Sequence, residues 1–438
     1  MASSSTPPPE SDPNSSLHLH AELLPNIRQL TLYISVPANT PSTDLTITLS
    51  ESRRSISVSL NPDNDPITMK LPAHVHPTSH HILHLTPTTL PQTQPRATQG
   101  EYSFRMPVDV NTPITNNHND LDSLDGYIPW TATDMSSATR LRCLKCESEV
   151  LGEGKVWKDL PSGNWAEMMD FWHCHKPDPP KGENNGNGDG EEMNAVKGYG
   201  AANQVVATPG TVLVDVVGFL VAGRDCLGIP NTNTDTTHPD ANADKIHCTT
   251  CTTQLGIHDP IANGHRLYKT RLAASSPSSP SPTSSSSPEV SPTTTTIWSH
   301  HPPETVISAQ LLELIDREST RRFILHSDNK SGLLIWIFTP TLTYSNASAT
   351  HQISAQRAMK VFYQILSDEK EIQRMLDAEV GKVGVVAVEE VRLLGEEVDG
   401  FQRVLEKSRS LLPVEAREWR GWRVGLVGRF ERNISITT

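Results

Sequence analysis

Two Cys-x-x-Cys pairs, Cys143-Leu-Lys-Cys146 and Cys248-Thr-Thr-Cys251, stand 101 residues apart in a chain with only six cysteines. Each pair offers two soft thiolates from one tight turn, and together they make up the four donors of a tetrahedral metal site. Pairs that share one ion pin distant segments to each other, and no other feature of the chain limits its fold so strongly. One alternative is four independent buried thiols. Another is Cys143 and Cys146 with Cys174 and His175, although neighbouring residues seldom converge on one ion from regular structure. A thioredoxin-like redox role needs a Cys-x-x-Cys at a strand-to-helix turn of a βαβ unit, which neither pair shows. The expectation is structural zinc on Cys143, Cys146, Cys248 and Cys251, with no position left open for catalysis.

Paired cysteines mean metal more often than disulfides in a reducing compartment, so compartment matters to this argument. Met-Ala-Ser-Ser-Ser-Thr-Pro-Pro-Pro-Glu has neither the basic nor the apolar region of a secretory signal, which points to the cytoplasm or the nucleus. The most apolar run, Thr211 to Ala222, contains Asp215 and falls short of the roughly 20 residues that a membrane helix requires. It reads as buried strand, with no membrane partner. A net charge of -13 argues against nucleic acid as a partner, because phosphate binding wants clustered Lys and Arg.

Along the chain, residues 1–16 read as a disordered tail. Period-two alternation then runs through 17–110, as in Leu30-Thr-Leu32-Tyr-Ile34, Ile56-Ser-Val58-Ser-Leu60 and Tyr102-Ser-Phe104, with turn chemistry at Asn61-Pro-Asp-Asn-Asp-Pro66. Consecutive antiparallel strands follow from that pattern. His18, His20, His74, His76, His80, His81 and His84 read as scattered surface histidines, since Pro77 and the strand-like Ile82-Leu-His-Leu85 oppose a helix that would align them. A connector covers 111–139, and a zinc-bearing unit covers 140–272 with disordered loops near 181–195 and 231–244. A Ser/Pro/Thr linker spans 273–302. In the C-terminal unit, 303–438, helices are expected around Ile307, Leu311, Leu314 and Ile315, around Met359, Phe362 and Leu366, and around Leu394, Val398, Phe401 and Leu405. A buried strand at Gly332–Phe338 should stop at Pro340. The fold class is α+β: an N-terminal antiparallel β-rich unit, a central zinc-bearing β-rich unit and a C-terminal helix-containing α/β unit.

Between the cysteine pairs, Asn164-Trp165-Ala-Glu167 gives a capping box in an Asn variant, and Trp165, Met168, Met169 and Trp172 follow at helical spacing before Cys174 and His175. Core packing is the bland fate of such a stripe, and an aromatic anchor for a partner is the other. His173 and His175 flank Cys174 and can relay a proton there, whereas Cys226 follows an apolar strand.

This stretch, joined to the two cysteine pairs, Asp225-Cys226-Leu and Ala358-Met-Lys-Val-Phe-Tyr363, resembles the HECT-like ubiquitin-conjugating-enzyme-binding proteins from Arg142 to Leu426. The resemblance implies a ubiquitin-protein ligase that binds a ubiquitin-conjugating enzyme and promotes ubiquitin transfer to a protein substrate. It implies partner contacts at Asn164, Trp165, Glu167 and Trp172. A covalent ubiquitin intermediate would fall to Cys174 with His175, although no stretch matches the long catalytic lobe of true HECT ligases. A different reading is a non-catalytic zinc-braced adaptor, for example for the pre-mRNA cleavage machinery, to which members of the family have been linked.

Overall fold

Alternating patterns dominate the chain, and strands dominate its computed structural model, which describes residues 17–37, 45–60, 65–84, 100–109, 126–160, 205–229, 245–276, 296–327, 331–377 and 387–432. Two compact units emerge. One joins residues 1–127 to 319–438, and the other is the continuous stretch 128–318. Helices are few in both, in keeping with an α+β class.

The discontinuous unit is built on a nine-stranded sheet. Its N-terminal strands are β1 (His18–Leu24), β2 (Gln29–Ser35) and β6 (Glu101–Pro107), and its C-terminal strands are β17 (Arg322–Ser327), β18 (Ser331–Ser348), β19 (Gln352–Leu366), β20 (Glu389–Arg392), β21 (Glu418–Trp419) and β22 (Trp422–Gly428). The order is β21-β22-β19-β18-β1-β2-β6, with β17 on β18 and β20 on β17. Leu19, Leu30, Leu32, Ile34, Phe104 and Met106 fill one face. Against them pack Ile56, Val58 and Met69 of a three-stranded sheet, β3 (Leu45–Leu49), β4 (Ser55–Leu60) and β5 (Ile67–Lys70). Each such side chain contributes about 1.5–3 kcal/mol through burial. The other face carries a buried polar chain. Glu22 accepts from Lys360 Nζ at 2.8 and 2.9 Å and sits 3.1 Å from His20 Nε2. Asn346 bridges His20 to His351.

The second unit holds a six-stranded sheet ordered β12-β13-β14-β11-β10-β9: β9 (Val156–Asp159), β10 (Thr211–Val214), β11 (Gly218–Val221), β12 (Lys245–His247), β13 (Gln254–Asp259) and β14 (Gly264–Tyr268). A four-stranded sheet, ordered β16-β15-β7-β8, comprises β7 (Leu141–Cys143), β8 (Glu149–Leu151), β15 (Leu272–Ser276) and β16 (Ile297–Ser299). Helix Pro303–Glu318 buries Ile307, Leu311 and Leu314, as its spacing predicts.

Several expectations need correction. The strands of 17–110 and those of 319–432 share one sheet, since β1 pairs antiparallel with β18 from His18↔Ser348 to Leu23↔Thr343. The Ser/Pro/Thr tract does not separate units either, because its flanks pair as β15 and β16 in one sheet. The expected helix at Met359, Phe362 and Leu366 is strand β19. From Ala358 to Tyr363 that strand is buried on both faces, and a two-sided apolar run has no alternation to distinguish it from a helix. β18 runs through Pro340 by slipping register against β19 between Ile337 and Leu342, which removes the need for a proline N–H donor. Ser79–His84 is a short helix rather than a strand. His20 is wholly buried rather than on the surface.

Candidate metal centre

Each Cys-x-x-Cys pair occupies the turn of a β-hairpin, the first between β7 and β8 and the second between β12 and β13. The two turns are built alike. In the first, Cys143 N–H donates to Ser148 O (2.9 Å) and Glu147 N–H to Cys143 O (3.0 Å). In the second, Cys248 N–H donates to Thr253 O and Thr252 N–H to Cys248 O, both at 2.9 Å. Glu147 and Thr252, each directly after the second cysteine, are left-handed with φ of 62° and 58°. That left-handed step closes the knuckle and turns both sulfurs to one side.

The knuckles face each other. Cys143 Sγ lies 3.6 Å from Cys251 Sγ and Cys146 Sγ lies 3.5 Å from Cys248 Sγ, with all four sulfurs within 4.8 Å of one another. A tetrahedral ion with metal–sulfur bonds of about 2.3 Å sets its sulfurs about 3.8 Å apart, so the four thiols fit one metal ion. Among the described residues this is the one group of His, Cys, Asp or Glu with metal-ligating geometry. Burial pushes the Cys143 thiol up to about 12. The Thr253 hydroxyl and backbone N–H hold Cys251 down to about 6, and the Ser148 hydroxyl and N–H lower Cys146 in the same way. Ser148 Oγ and Thr253 Oγ1 each lie 3.3 Å from a sulfur. Sequence reasoning passed over these hydroxyls, although both knuckles read Cys-x-x-Cys-x-[Ser/Thr].

The Asp225-Cys226-Leu segment lies against both knuckles. Cys226 bridges to Leu151 of β8, Leu227 N–H donates to Val150 O (2.8 Å), and Thr249 of the second knuckle donates to Gly228 O (3.0 Å). Gly228 has φ +61°, and a Cβ there would sit 3.3 Å from Glu149 O. Asp225 accepts from Lys155 Nζ (3.1 Å) and from Gly210 N–H (2.6 Å), anchoring the start of the segment. Burial pushes the Cys226 thiol up to about 12, which makes it a poor nucleophile. A buried lysine, unsignalled in the sequence, completes the unit. Lys269 Nζ donates to Pro129 O and Trp130 O, both at 2.8 Å, and burial lowers it to about 7.

Asn164, Trp165, Glu167, Trp172, Cys174 and His175 lie outside the described residues. The strands flanking that stretch, β9 and β10, are parallel neighbours, paired from Val156↔Thr211 to Asp159↔Val214. Among the described residues, no helix is long and apolar enough to cross a membrane.

Fold and site together define a β-rich protein braced by a four-cysteine centre. The chain belongs to the HECT-like ubiquitin-conjugating enzyme (E2)-binding family, whose model matches residues 22–424. It is similar to an uncharacterised protein of Schizosaccharomyces pombe, 25% identical over 321 residues that cover 70% of this chain and 79% of the relative. An uncharacterised protein of Saccharomyces cerevisiae is 23% identical over 299 residues, 67% of this chain and 71% of the relative. No solved structure matches.

Proposed function

We propose that the protein is a ubiquitin-protein ligase that recruits a ubiquitin-conjugating enzyme and promotes transfer of ubiquitin to a protein substrate, acting in the cytoplasm or nucleus where thiols stay reduced. Membership of an E2-binding family over residues 22–424 carries this reading. The partner surface is assigned to Asn164, Trp165, Glu167 and Trp172. Transfer proceeds by proximity: a substrate lysine amine attacks the thioester carbonyl of the loaded conjugating enzyme, an isopeptide bond forms, and the enzyme's thiol leaves. Four of the six cysteines belong to the cluster and Cys226 is held protonated, so a covalent relay would rest on Cys174 and His175.

The test is discharge of ubiquitin from a panel of loaded conjugating enzymes, with C174A and W165A in parallel. Faster discharge that survives C174A and is lost with W165A, while W165A stays folded, is the expected result. Loss in C174A alone would make the ligase covalent. If the wild-type chain neither binds nor discharges any enzyme of the panel, the protein is an adaptor.

The cluster is assigned to structural zinc, held by Cys143, Cys146, Cys248 and Cys251. Four thiolates at tetrahedral spacing suit that ion, and with every position taken by protein its role is to brace the two hairpins. Freshly purified reduced protein is expected to contain about one zinc per chain. C248S is expected to lose the metal and to unfold at lower temperature; unchanged metal content and stability would rule the assignment out.

A further inference from the structure

One face of the discontinuous unit carries an aromatic plateau that the function proposed above does not use. A single row crosses four strands through Arg322↔Trp336, Trp336↔Phe362 and Phe362↔Val424. Beside it, Trp419 and Trp422 pair directly across the hairpin of β21 and β22. The turn of that hairpin is Arg420-Gly421, both residues at positive φ (47° and 82°), the geometry of a tight two-residue turn. Phe338 stacks parallel on Phe362 at 4.9 Å, Trp336 meets Phe362 edge-on at 5.3 Å, and Trp419 lies 5.7 Å from Phe362.

Phe338 lies at a register slip of its own, one step before the slip that admits Pro340. Ile337 faces Val361 and Thr339 faces Lys360, so Phe338 is the extra residue of a bulge. A bulge re-aims a side chain, and here it sets Phe338 out of the ladder and onto the plateau. Phe338 is 47% exposed and Trp419, on the edge strand β21, 44% exposed, a large apolar area to leave in water on one sheet face.

The rim is basic. The Arg322 guanidinium lies 5.1 Å above the Trp336 ring and that of Arg420 5.0 Å from the Trp419 ring. Among the described residues neither has a carboxylate partner, and Glu418, the acid of the hairpin, pairs with Arg409 at 3.2 Å. In a chain of net charge -13, two guanidiniums held on ring faces at the rim of an apolar surface complement an anionic partner. Two cations are too few for a membrane surface, which takes a polybasic cluster.

We infer that this plateau is a docking site for a protein segment that presents an aromatic or leucine side chain flanked by aspartate or glutamate: the anchor lies on Phe338 and Trp419, which cover the buried Phe362, and the acids reach Arg322 and Arg420. This surface is separate from the Asn164–Trp172 stretch and does not depend on the ligase reading.

A randomised peptide library selected on the immobilised full-length chain tests it, with the F338S/W419S double variant for counter-selection. Enriched peptides are expected to carry an apolar anchor with an acid nearby. They are expected to bind F338S/W419S at least about tenfold more weakly, and R322Q/R420Q about threefold to tenfold more weakly, with affinity falling as salt rises. Thermal unfolding of both variants should stay close to wild type; if F338S/W419S does not fold, R322Q/R420Q decides alone. Peptides that lack acids, or that bind R322Q/R420Q as well as wild type, overturn the inference. So does sedimentation showing self-association lost in R322Q/R420Q, which would make the occupant a second copy, or binding to phosphatidylserine vesicles lost in the same variant.

Discussion

Glu22 is a carboxylate buried within the large sheet, only 4% exposed. Burial alone would raise its carboxyl, but the Lys360 ammonium and the His20 ring hold it down to about 2. A carboxylate depressed from 4.5 contributes stability that is fully present above the unfolded value and is lost as pH falls through about 2. At 1.36 kcal/mol per unit, its contribution is on the order of 3 kcal/mol. The discontinuous unit is therefore expected to lose stability between about pH 4.5 and 2. K360M should remove this acid sensitivity and destabilise the unit by about 3 kcal/mol at neutral pH, because it strands a buried carboxylate. The double variant E22Q/K360M should recover part of the loss. Chemical denaturation of the three proteins across pH checks both statements, and identical acid profiles for wild type and K360M would count against the pairing.

At the scale of elements, patterns with one wet face were readable, and of those buried on both faces the short apolar run that opens β18 was readable as strand while β19 was not. β2, β4 and helix Pro303–Glu318 alternate or repeat as their exposure demands. β19 has Met359, Val361 and Tyr363 buried on one face and Ala358 and Phe362 on the other, and its hydrophobic spacing matched a helix by coincidence. The cysteine knuckles were legible because a metal site needs a fixed set of residue types. The hydroxyls of Ser148 and Thr253 and the left-handed step between each of them and its cysteine come from backbone geometry that no single residue announces. Gly256 illustrates the same limit. It follows the second knuckle on β13, pairs with Leu267 of β14, and a Cβ there would collide with the Arg266 carbonyl oxygen. G256A is expected to destabilise the four-cysteine unit by about 3 kcal/mol or more, since the obstacle is backbone. G154A meets nothing within 4 Å, although its φ of +84° makes it mildly strained. Thermal unfolding of the two variants, compared side by side, should separate them; a G256A protein as stable as G154A would contradict the close approach.

At the scale of the whole molecule, the chain enters the first unit, leaves for the second and returns. Its Ser/Pro/Thr composition makes 277–295 the expected site of proteolytic nicking. A cut there divides the chain into pieces joined by β15 with β16 and by β1 with β18. The two fragments are therefore expected to separate on a denaturing gel and to migrate together by native gel filtration. Separation under native conditions would mean that these strand pairs do not hold the molecule. For the same reason, residues 303–438 expressed alone should not fold, since β18 then lacks β1.

The return of the chain to its first unit also puts synthesis and folding out of step. Lys360 follows Glu22 by 338 positions, and at about 5–20 residues per second the ribosome delivers it roughly 20–70 s later. During that interval the four-cysteine unit, contiguous in sequence, can emerge whole with its four thiols in place. The outer edge of β1 meanwhile waits with its hydrogen-bonding groups open and an unneutralised carboxylate beside them. Nascent chains stalled before β18 should therefore recruit chaperones to their N-terminal strands, and the newborn protein is most vulnerable to aggregation at the edge that its last hundred residues eventually cover.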